Sequence, residues 1–214
     1  MNVVKVFDVY VLMFLFITVY VTLAIYGVFL ASNIDGGLNV FNVINVLVRL
    51  DSPIKNDLSI LLMTHHTLGI PIMLRGYDLL EGFVWELLTS LFIHANLYHL
   101  FFNCLALLII RSIYSVLEPR YGITKVFLVG GLFSNLCFAI TSPDTYSVGA
   151  SGGIFTVFAW IALRNYLERG DNVPLILLIV TLLLSSIPIV GSPNVVAHLV
   201  GSLIGFSIAI YRRR

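Results

Sequence analysis

The sequence contains very little charge. Of its 214 residues, 11% are Asp, Glu, Lys or Arg, whereas 59% are hydrophobic. Soluble globular domains carry about 25% charged residues, so this chain has too little polar surface to coat a soluble globule. We therefore predict that it lies in a lipid bilayer.

Cysteines and leader-peptide signals are also scarce. The two cysteines, Cys104 and Cys137, both lie inside apolar runs, so neither is placed to form a disulfide on the oxidising side of a membrane. The first apolar run, 9–30, exceeds the roughly 7 to 15 residues of a signal-peptide core, and the Leu30-Ala31-Ser32 stretch is a poor cleavage site. We predict a retained helix there.

Long apolar runs are what the sequence has in abundance. A membrane helix needs roughly 20 mostly apolar residues, and charged breaks, glycines and prolines divide the chain into six such stretches. They lie near residues 9–30, 87–110, 124–141, 150–167, 174–190 and 195–211. This pattern predicts an all-α, polytopic membrane protein, in which residues 1–214 form one domain with six transmembrane helices.

The basic residues predict the orientation of these helices. An even number of spans puts both termini on one side, and the Arg212–Arg214 tail indicates that this side is cytoplasmic. The same topology puts most other basic residues inside, namely Lys5, Arg111, Arg120, Lys125, Arg164 and Arg169. Only Arg49, Lys55 and Arg75 would lie outside. We therefore expect an integral, multi-pass protein with both termini in the cytoplasm.

The connection 32–86 is predicted to be a long external first loop. Within it, Asp57–Leu74 is apolar, but it contains a histidine pair, a glycine and a proline, whose polar groups would need internal partners in the hydrocarbon core. We expect this segment to be interfacial or re-entrant, and Leu38–Leu50 to be a short amphipathic surface piece. The pair His65 and His66 lacks further ligands nearby, so metal binding is not expected.

A few polar residues stand inside the predicted spans. A charged residue there costs roughly 2.5 to 3.5 kcal/mol on insertion scales, so polar residues at such depth are functional candidates. They are His94, His99 and Asn103 in the second stretch, Gly149 to Gly152 around Ser151 in the fourth, and His198 in the sixth. Because these three helices are all predicted to run from outside to inside, Ser151 and His198 should share one layer.

These residue types suit acyl transfer. A serine hydroxyl is a weak nucleophile until a base takes its proton, and His198 is the candidate base for Ser151. No Asp or Glu lies in the fourth or sixth stretch, so a Ser–His dyad is favoured over a triad. His99 and Asn103 lie four residues apart, about 40° around a helix, and with the Ser151 backbone N–H they could stabilise an oxyanion. His94 is expected to point elsewhere.

The glycines of the sixth stretch suggest how the dyad could form. Gly201 and Gly205 follow Ala197 at intervals of four residues, which makes a small-xxx-small stripe along one helix face. Such stripes allow close approach of two backbones in a membrane. We expect the facing partner to be the glycine-rich start of the fourth helix.

Together these motifs resemble the rhomboid family of intramembrane serine proteases. The G-x-S-G motif reads Gly149 to Gly152, the A-H-x-x-G-x-x-x-G motif begins at Ala197, and the H-x-x-x-x-H-x-x-x-N motif begins at His94. The resemblance runs from about Trp85 to the C-terminus. It implies a six-helix rhomboid-like bundle with Ser151 as nucleophile and His198 as base. His99 and Asn103 would line the oxyanion hole.

The resemblance also implies a role for His94, which would help to hold the first loop and hydrate the site. The implied reaction is hydrolysis of a peptide bond in or near a transmembrane segment, so the expected partners are transmembrane protein substrates and the lipid bilayer. No cofactor, metal or nucleic acid is expected to take part. Glu118 would correspond to a structural glutamate of the family.

Two positions depart from the family pattern. Many members carry Trp-Arg before the second span, but here Trp85 is followed by Glu86, which leaves the anchoring of the first loop open. Many members also have a tyrosine four residues after the serine, where this chain has Phe155. We expect the Phe155 ring still to pack on His198.

Other classes of protein remain as alternatives. A non-catalytic rhomboid-like protein that binds membrane clients typically lacks the serine or the histidine, and both are present here. A small transporter or channel would be expected to have buried charges or a repeated half. Taken alone, Ser151 could be a small residue at a helix contact, and His99 and Asn103 could simply hold the bundle. The three motifs together favour an intramembrane serine endopeptidase.

Overall fold

The fold is helical, as expected from the apolar stretches. A computed structural model of the protein describes residues 3–34, 72–114, 122–187 and 194–211. Within these ranges the extended pairing is limited to an isolated antiparallel bridge between Leu74 and Ser147. The all-α class is therefore confirmed. The predictions for Leu38–Leu50, for most of Asp57–Leu74 and for Glu118 concern residues outside the described ranges.

Each predicted apolar stretch corresponds to helical structure. In chain order the helices of the described part are α1 (Val3–Ile34), α2 (Gly76–Leu80), α3 (Glu86–Thr89), α4 (Leu97–Tyr114), α5 (Ile123–Thr141), α6 (Ser151–Arg169), α7 (Val173–Ser185) and α8 (Val195–Tyr211). A 3-10 turn at Ser90–Phe92 follows α3 directly.

Two of these helices are long and apolar enough to cross a bilayer by themselves, α1 over Asp8–Ile25 and α5. A third candidate combines α3 and its 3-10 turn with α4. The helices α7 and α8 are shorter and apolar. These lengths and compositions support an integral membrane protein, while the count of six spans stays a prediction.

The second apolar stretch, 87–110, is not the single straight helix that its hydropathy suggested. The chain turns by 89° between the segment ending at Phe92 and helix α4. Ile93 is extended, with φ −92° and ψ 141°, and the Asn96 side chain accepts the His99 backbone N–H at 2.9 Å. An asparagine that accepts such a bond begins a new helix, so the chain restarts at Leu97 in a new direction.

Helix α6 lies at the centre of the bundle. Its side chains from Gly152 to Ala162 are all buried, and Trp160 is the largest of them. Helix α5 approaches it through Gly130, where an added Cβ would overlap the Thr156 side chain. Because α6 is covered on all sides, the residues at its N-terminal end are held by several neighbours at once.

The closest helix contact is between α6 and α8. A Cβ added at Gly201 would overlap the Gly152 carbonyl oxygen, and one added at Gly205 would overlap the Thr156 carbonyl oxygen. The pairing advances by four residues on both helices, so the two run parallel and their N-terminal ends lie side by side. The predicted stripe of small residues and its facing partner are thus confirmed.

Gly201→Ala should destabilise the bundle. The added methyl group meets backbone, which cannot move aside as a side chain can, so we expect a loss of about 1–3 kcal/mol in the free energy of unfolding. The measurement is reversible unfolding in detergent micelles. Ser207→Thr is the matched control, because it also adds one methyl group to α8 but at an exposed position. Equal stability of the two variants would contradict the close contact.

Candidate active site

Ser151 and His198 meet at the N-terminal ends of α6 and α8. The Ser151 Oγ lies 2.8 Å from the His198 Nε2, within hydrogen-bond range. His198 is 7% exposed. Its ring packs on that of Phe155, with centroids 4.6 Å apart and planes inclined by 37°, so the expected ring packing is confirmed. The imidazole is thus held on one face by an aromatic ring and at its edge by the hydroxyl.

Gly149 shapes the turn that leads into Ser151. Its φ of +121° is a backbone conformation that favours glycine. An added Cβ would also lie 2.5 Å from the His99 Cε1. The Gly149 N–H donates to the Ser90 carbonyl oxygen at 2.9 Å. Only a glycine therefore allows this turn to lie against the His99 ring of α4.

The first residues of α6 bring backbone donors to the same place. The helix begins at Ser151, and its N-cap residue Ala150 makes no side-chain capping bond. The first N–H groups of a helix have no carbonyl partner within it, and together they attract negative charge. The Ser151 N–H therefore lies beside its own hydroxyl at the positive end of the helix dipole.

Asn103 lies one turn along α4 from His99, on the same face. It is 7% exposed, and its Nδ2 has no hydrogen-bond partner among the described residues. A buried donor without a partner is unusual in native proteins, because the lost hydration costs free energy. The amide is thus available as a donor in the polar cluster of His94, His99, Asn103, Ser151 and His198, which we call the recess.

His94 was expected to point away from His99, and this was wrong. Its ring meets the His99 ring edge-on, with centroids 5.2 Å apart, and it also packs on Phe16 of α1 at 5.1 Å. The expectation assumed that one helix carries both histidines. Since α4 begins at Leu97, His94 belongs to the bend, and helical spacing does not describe its direction.

Two side chains that the sequence reasoning missed hold the start of α8. The Asn194 Oδ1 accepts the Ala197 backbone N–H at 2.9 Å, and its Nδ2 donates to the Ser147 Oγ at 2.8 Å. Ser147 in turn exchanges two backbone hydrogen bonds with Leu74. An asparagine directly before an apolar run is an N-cap signal, so Asn194 could have been found from the sequence.

Glu86 anchors the described end of the predicted first loop, at a position where the resemblance implies arginine. Its side chain is fully buried, and its Oε2 accepts the Arg75 backbone N–H at 3.1 Å. The Arg75 guanidinium lies 3.6 Å from the Asp78 carboxylate and over the Tyr146 ring. The loop segment before α2 is thus tied both to α3 and to the loop before α6.

Metal ligands are not grouped around this recess. Within the described ranges, no set of three or more His, Cys, Asp or Glu side chains is arranged to hold an ion. The pair His65 and His66 lies outside those ranges.

Comparison with known proteins identifies the family. The family model for the rhomboid domain matches residues 81–214, which include every polar residue of the recess described above. This chain belongs to the rhomboid family. As a rhomboid with long apolar helices, it is an integral membrane protein.

Rhomboids from Bacillus subtilis and Toxoplasma gondii resemble this one. The chain is 30% identical over 144 residues to YdcA of Bacillus subtilis, which covers 63% of this chain and 71% of YdcA. It is 28% identical over 184 residues to Rhomboid-like protease 1 of Toxoplasma gondii, covering 80% of this chain and 59% of the relative. The rhomboid protease GluP of Bacillus subtilis is 33% identical over 109 residues, 46% of this chain and 21% of GluP.

The chain therefore spans less than two thirds of the length of several relatives, and the match concerns the rhomboid domain that they share. The names of these relatives associate the family with proteolysis.

Asn194→Ala should loosen the start of α8, because it removes both the cap and the bond to Ser147. Loss of an N-cap typically costs about 0.5–2 kcal/mol, measurable by unfolding in detergent. Asn194→Asp is the matched control, since it keeps the oxygen that accepts the Ala197 N–H and loses only the donor to Ser147. We expect it to lose less stability than the alanine variant, and the reverse order would contradict the capping role.

Proposed function

We propose that this rhomboid is an intramembrane serine endopeptidase that cleaves peptide bonds in or near transmembrane segments with Ser151 and His198. The observation that carries this proposal is the 2.8 Å separation of the Ser151 Oγ and the His198 Nε2 across two helices. A histidine in direct hydrogen-bond contact with a serine can act as the base that activates the hydroxyl for acyl transfer. The family supports the same reaction class.

The first half of the reaction acylates the serine. The Ser151 Oγ attacks the carbonyl carbon of the scissile peptide while its proton passes to the His198 Nε2. The tetrahedral intermediate then collapses, and His198 returns that proton to the nitrogen of the leaving amine. The C–N bond breaks, one product leaves with a free amino group, and the other remains as an ester on Ser151.

The second half releases the acyl group. A water molecule gives a proton to His198 as its oxygen attacks the ester carbonyl, and His198 then protonates the departing Ser151 oxygen. The products are a carboxylic acid and the original hydroxyl. Every proton is carried by one imidazole, so the reaction requires no cofactor or metal.

Three donors are available to the negative oxygen of each intermediate. They are the Ser151 backbone N–H at the start of α6, the Asn103 Nδ2, which has no partner in the described part of the chain, and the His99 ring beside Gly149. Preorganised donors of this kind each lower the barrier by about 2.7–4 kcal/mol. The burial of Asn103 strengthens its interaction with a charge, because little water competes for it.

The orientation of the enzyme follows from the charges. We infer six spans, cytoplasmic termini and a single domain with the external first loop 32–86. Arg111, near the end of α4 remote from the recess, lies over the Tyr10 ring of α1, 4.9 Å from its centroid. This one positive charge therefore lies at the opposite end from Ser151, which agrees with a recess that opens to the external side.

Removal of either member of the dyad should abolish cleavage. We expect Ser151→Ala and His198→Ala to lower turnover by at least about 10³-fold, because nucleophile and base act as one unit. The measurement is cleavage of a model transmembrane substrate by purified protein. Ser207→Ala, which changes an exposed serine of α8, is the control and should cleave normally. Equal cleavage by all these variants would exclude the proposed dyad.

Asn103→Ala should lower the cleavage activity without lowering the stability of the fold. We expect turnover to fall by about 10²-fold because an oxyanion donor is lost. Unfolding stability should stay the same or rise, since the substitution removes a buried donor that has no partner among the residues that the structure describes.

Asn135→Ala is the matched control for stability. The Asn135 Nδ2 already donates to the Leu87 carbonyl oxygen and to the Ser90 Oγ, both at 2.9 Å, so its removal should destabilise the fold. Unchanged turnover of Asn103→Ala would assign Asn103 to packing alone.

A further inference from the structure

His198 makes a second hydrogen bond on the opposite side of its ring. Its Nδ1 lies 3.0 Å from the Oγ of Ser185, the last residue of α7. Three helices therefore meet at this imidazole: α8 carries it, α6 brings the nucleophile to Nε2, and α7 brings a hydroxyl to Nδ1. The proposed cleavage reaction uses the Nε2 side and assigns nothing to Ser185.

The direction of the second bond depends on which group receives the Ser185 proton. The Ser185 hydroxyl donates to the Leu182 carbonyl oxygen at 3.0 Å, and a carbonyl oxygen can only accept. A serine hydroxyl has one proton and two lone pairs. With its proton on Leu182, the oxygen offers a lone pair to the ring, and the Nδ1 then carries the proton that completes the bond.

This direction decides what the other ring nitrogen can do. A neutral imidazole has one N–H and one acceptor nitrogen. With the proton on Nδ1, the Nε2 keeps its lone pair and accepts the Ser151 hydroxyl proton at 2.8 Å. With the proton on Nε2, the ring would instead donate to Ser151 and could not act as its base.

We propose that Ser185 is the positioning residue of the catalytic base, which holds His198 in the Nδ1–H tautomer that leaves Nε2 free to take the Ser151 proton. This inference rests on the proposed protease function. The Ser185 oxygen also accepts the Nδ1–H more strongly once His198 becomes a cation, since hydrogen bonds to charged groups are stronger. A hydroxyl thus fills the place that a carboxylate fills in a triad.

A hydroxyl suits this depth better than a carboxylate would. A buried charge costs several kcal/mol unless it is paired, whereas Ser185 is neutral and its donor is already satisfied by Leu182. Its capacity to orient the ring is smaller than that of a carboxylate, so the effect of its removal should be smaller than the loss of His198 itself.

The chain offers a matched control one residue away. Ser186 also donates to the Leu182 carbonyl oxygen, at 2.8 Å, but its side chain is exposed. Ser185→Ala and Ser186→Ala therefore each remove one hydrogen bond to the Leu182 carbonyl oxygen. Only Ser185→Ala also removes a contact with His198. Ser185→Thr keeps the hydroxyl and serves as the rescue variant.

The first experiment measures cleavage of a model transmembrane substrate by the full-length chain in detergent. We expect Ser185→Ala to lower kcat by about 10- to 100-fold with KM little changed, the range for a lost hydrogen bond to a group that becomes charged. Ser186→Ala should match the wild type, and Ser185→Thr should recover most of the activity. Equal kcat for Ser185→Ala and Ser186→Ala would overturn the proposal, as would failure of the threonine variant to exceed the alanine variant.

The second experiment reads the tautomer directly from 15N chemical shifts of the histidine rings. The chain has five histidines, and the His198 signals are assigned by their loss in His198→Gln. We expect a protonated Nδ1 and an unprotonated Nε2 in the wild type and in Ser186→Ala, and a mixture of tautomers in Ser185→Ala. An Nε2–H ring in the wild type, or the same tautomer in all three proteins, would overturn the proposal.

Failure of the protease proposal would give results that differ from those that overturn the role of Ser185. In that case the wild type would not cleave substrate, and Ser151 would not react with a fluorophosphonate probe. The 15N measurement would still decide whether Ser185 controls the His198 tautomer. Conversely, an active wild type whose kcat is insensitive to Ser185→Ala would retain the dyad and exclude Ser185.

Discussion

The backbone contact between α6 and α8 is the constraint on which the polar recess depends. Gly201 and Gly205 leave no side chain between α8 and the carbonyl oxygens of Gly152 and Thr156. In a bilayer, lipid tails are as apolar as the helices, so close packing of small residues replaces the hydrophobic effect as the force that joins them. The 2.8 Å contact of Ser151 with His198 would not survive a side chain at these positions.

Above this contact, a chain of hydrogen bonds runs from the Leu182 carbonyl through Ser185 and His198 to Ser151. Each group in this chain forms a hydrogen bond with the next one. All of these groups can be neutral before the reaction, which avoids the cost of a buried charge where water is scarce. Among the described residues, the Asn103 Nδ2 and the ring nitrogens of His94 differ in being buried without a hydrogen-bond partner. Stability would favour a partner for the Asn103 Nδ2, so its availability fits a ligand or transition state more readily than it fits the resting fold.

Much of the architecture could be predicted from local patterns. The lengths of the apolar runs predicted the helices. The even number of predicted spans and the distribution of basic residues predicted that α4, α6 and α8 begin at the same level, and Ser151 and His198 do lie in contact there. The bend before α4 could not be predicted in this way, because Phe92 to Asn96 lie inside a stretch whose average hydropathy resembles one span. His94 was misplaced for that reason. Asn194 carried a readable capping signal, whereas Ser185 carried none.

The sequence by itself determined the helical class, the membrane setting and the stripe of small residues, because these depend on composition and on spacing along single helices. Only the tertiary structure decided which atoms face one another: that Glu86 accepts the Arg75 N–H, that His94 meets His99, and that Ser185 contacts the Nδ1 side of His198. Those contacts join residues on different segments, and a hydrogen bond has a direction that is defined only when both partners are in place.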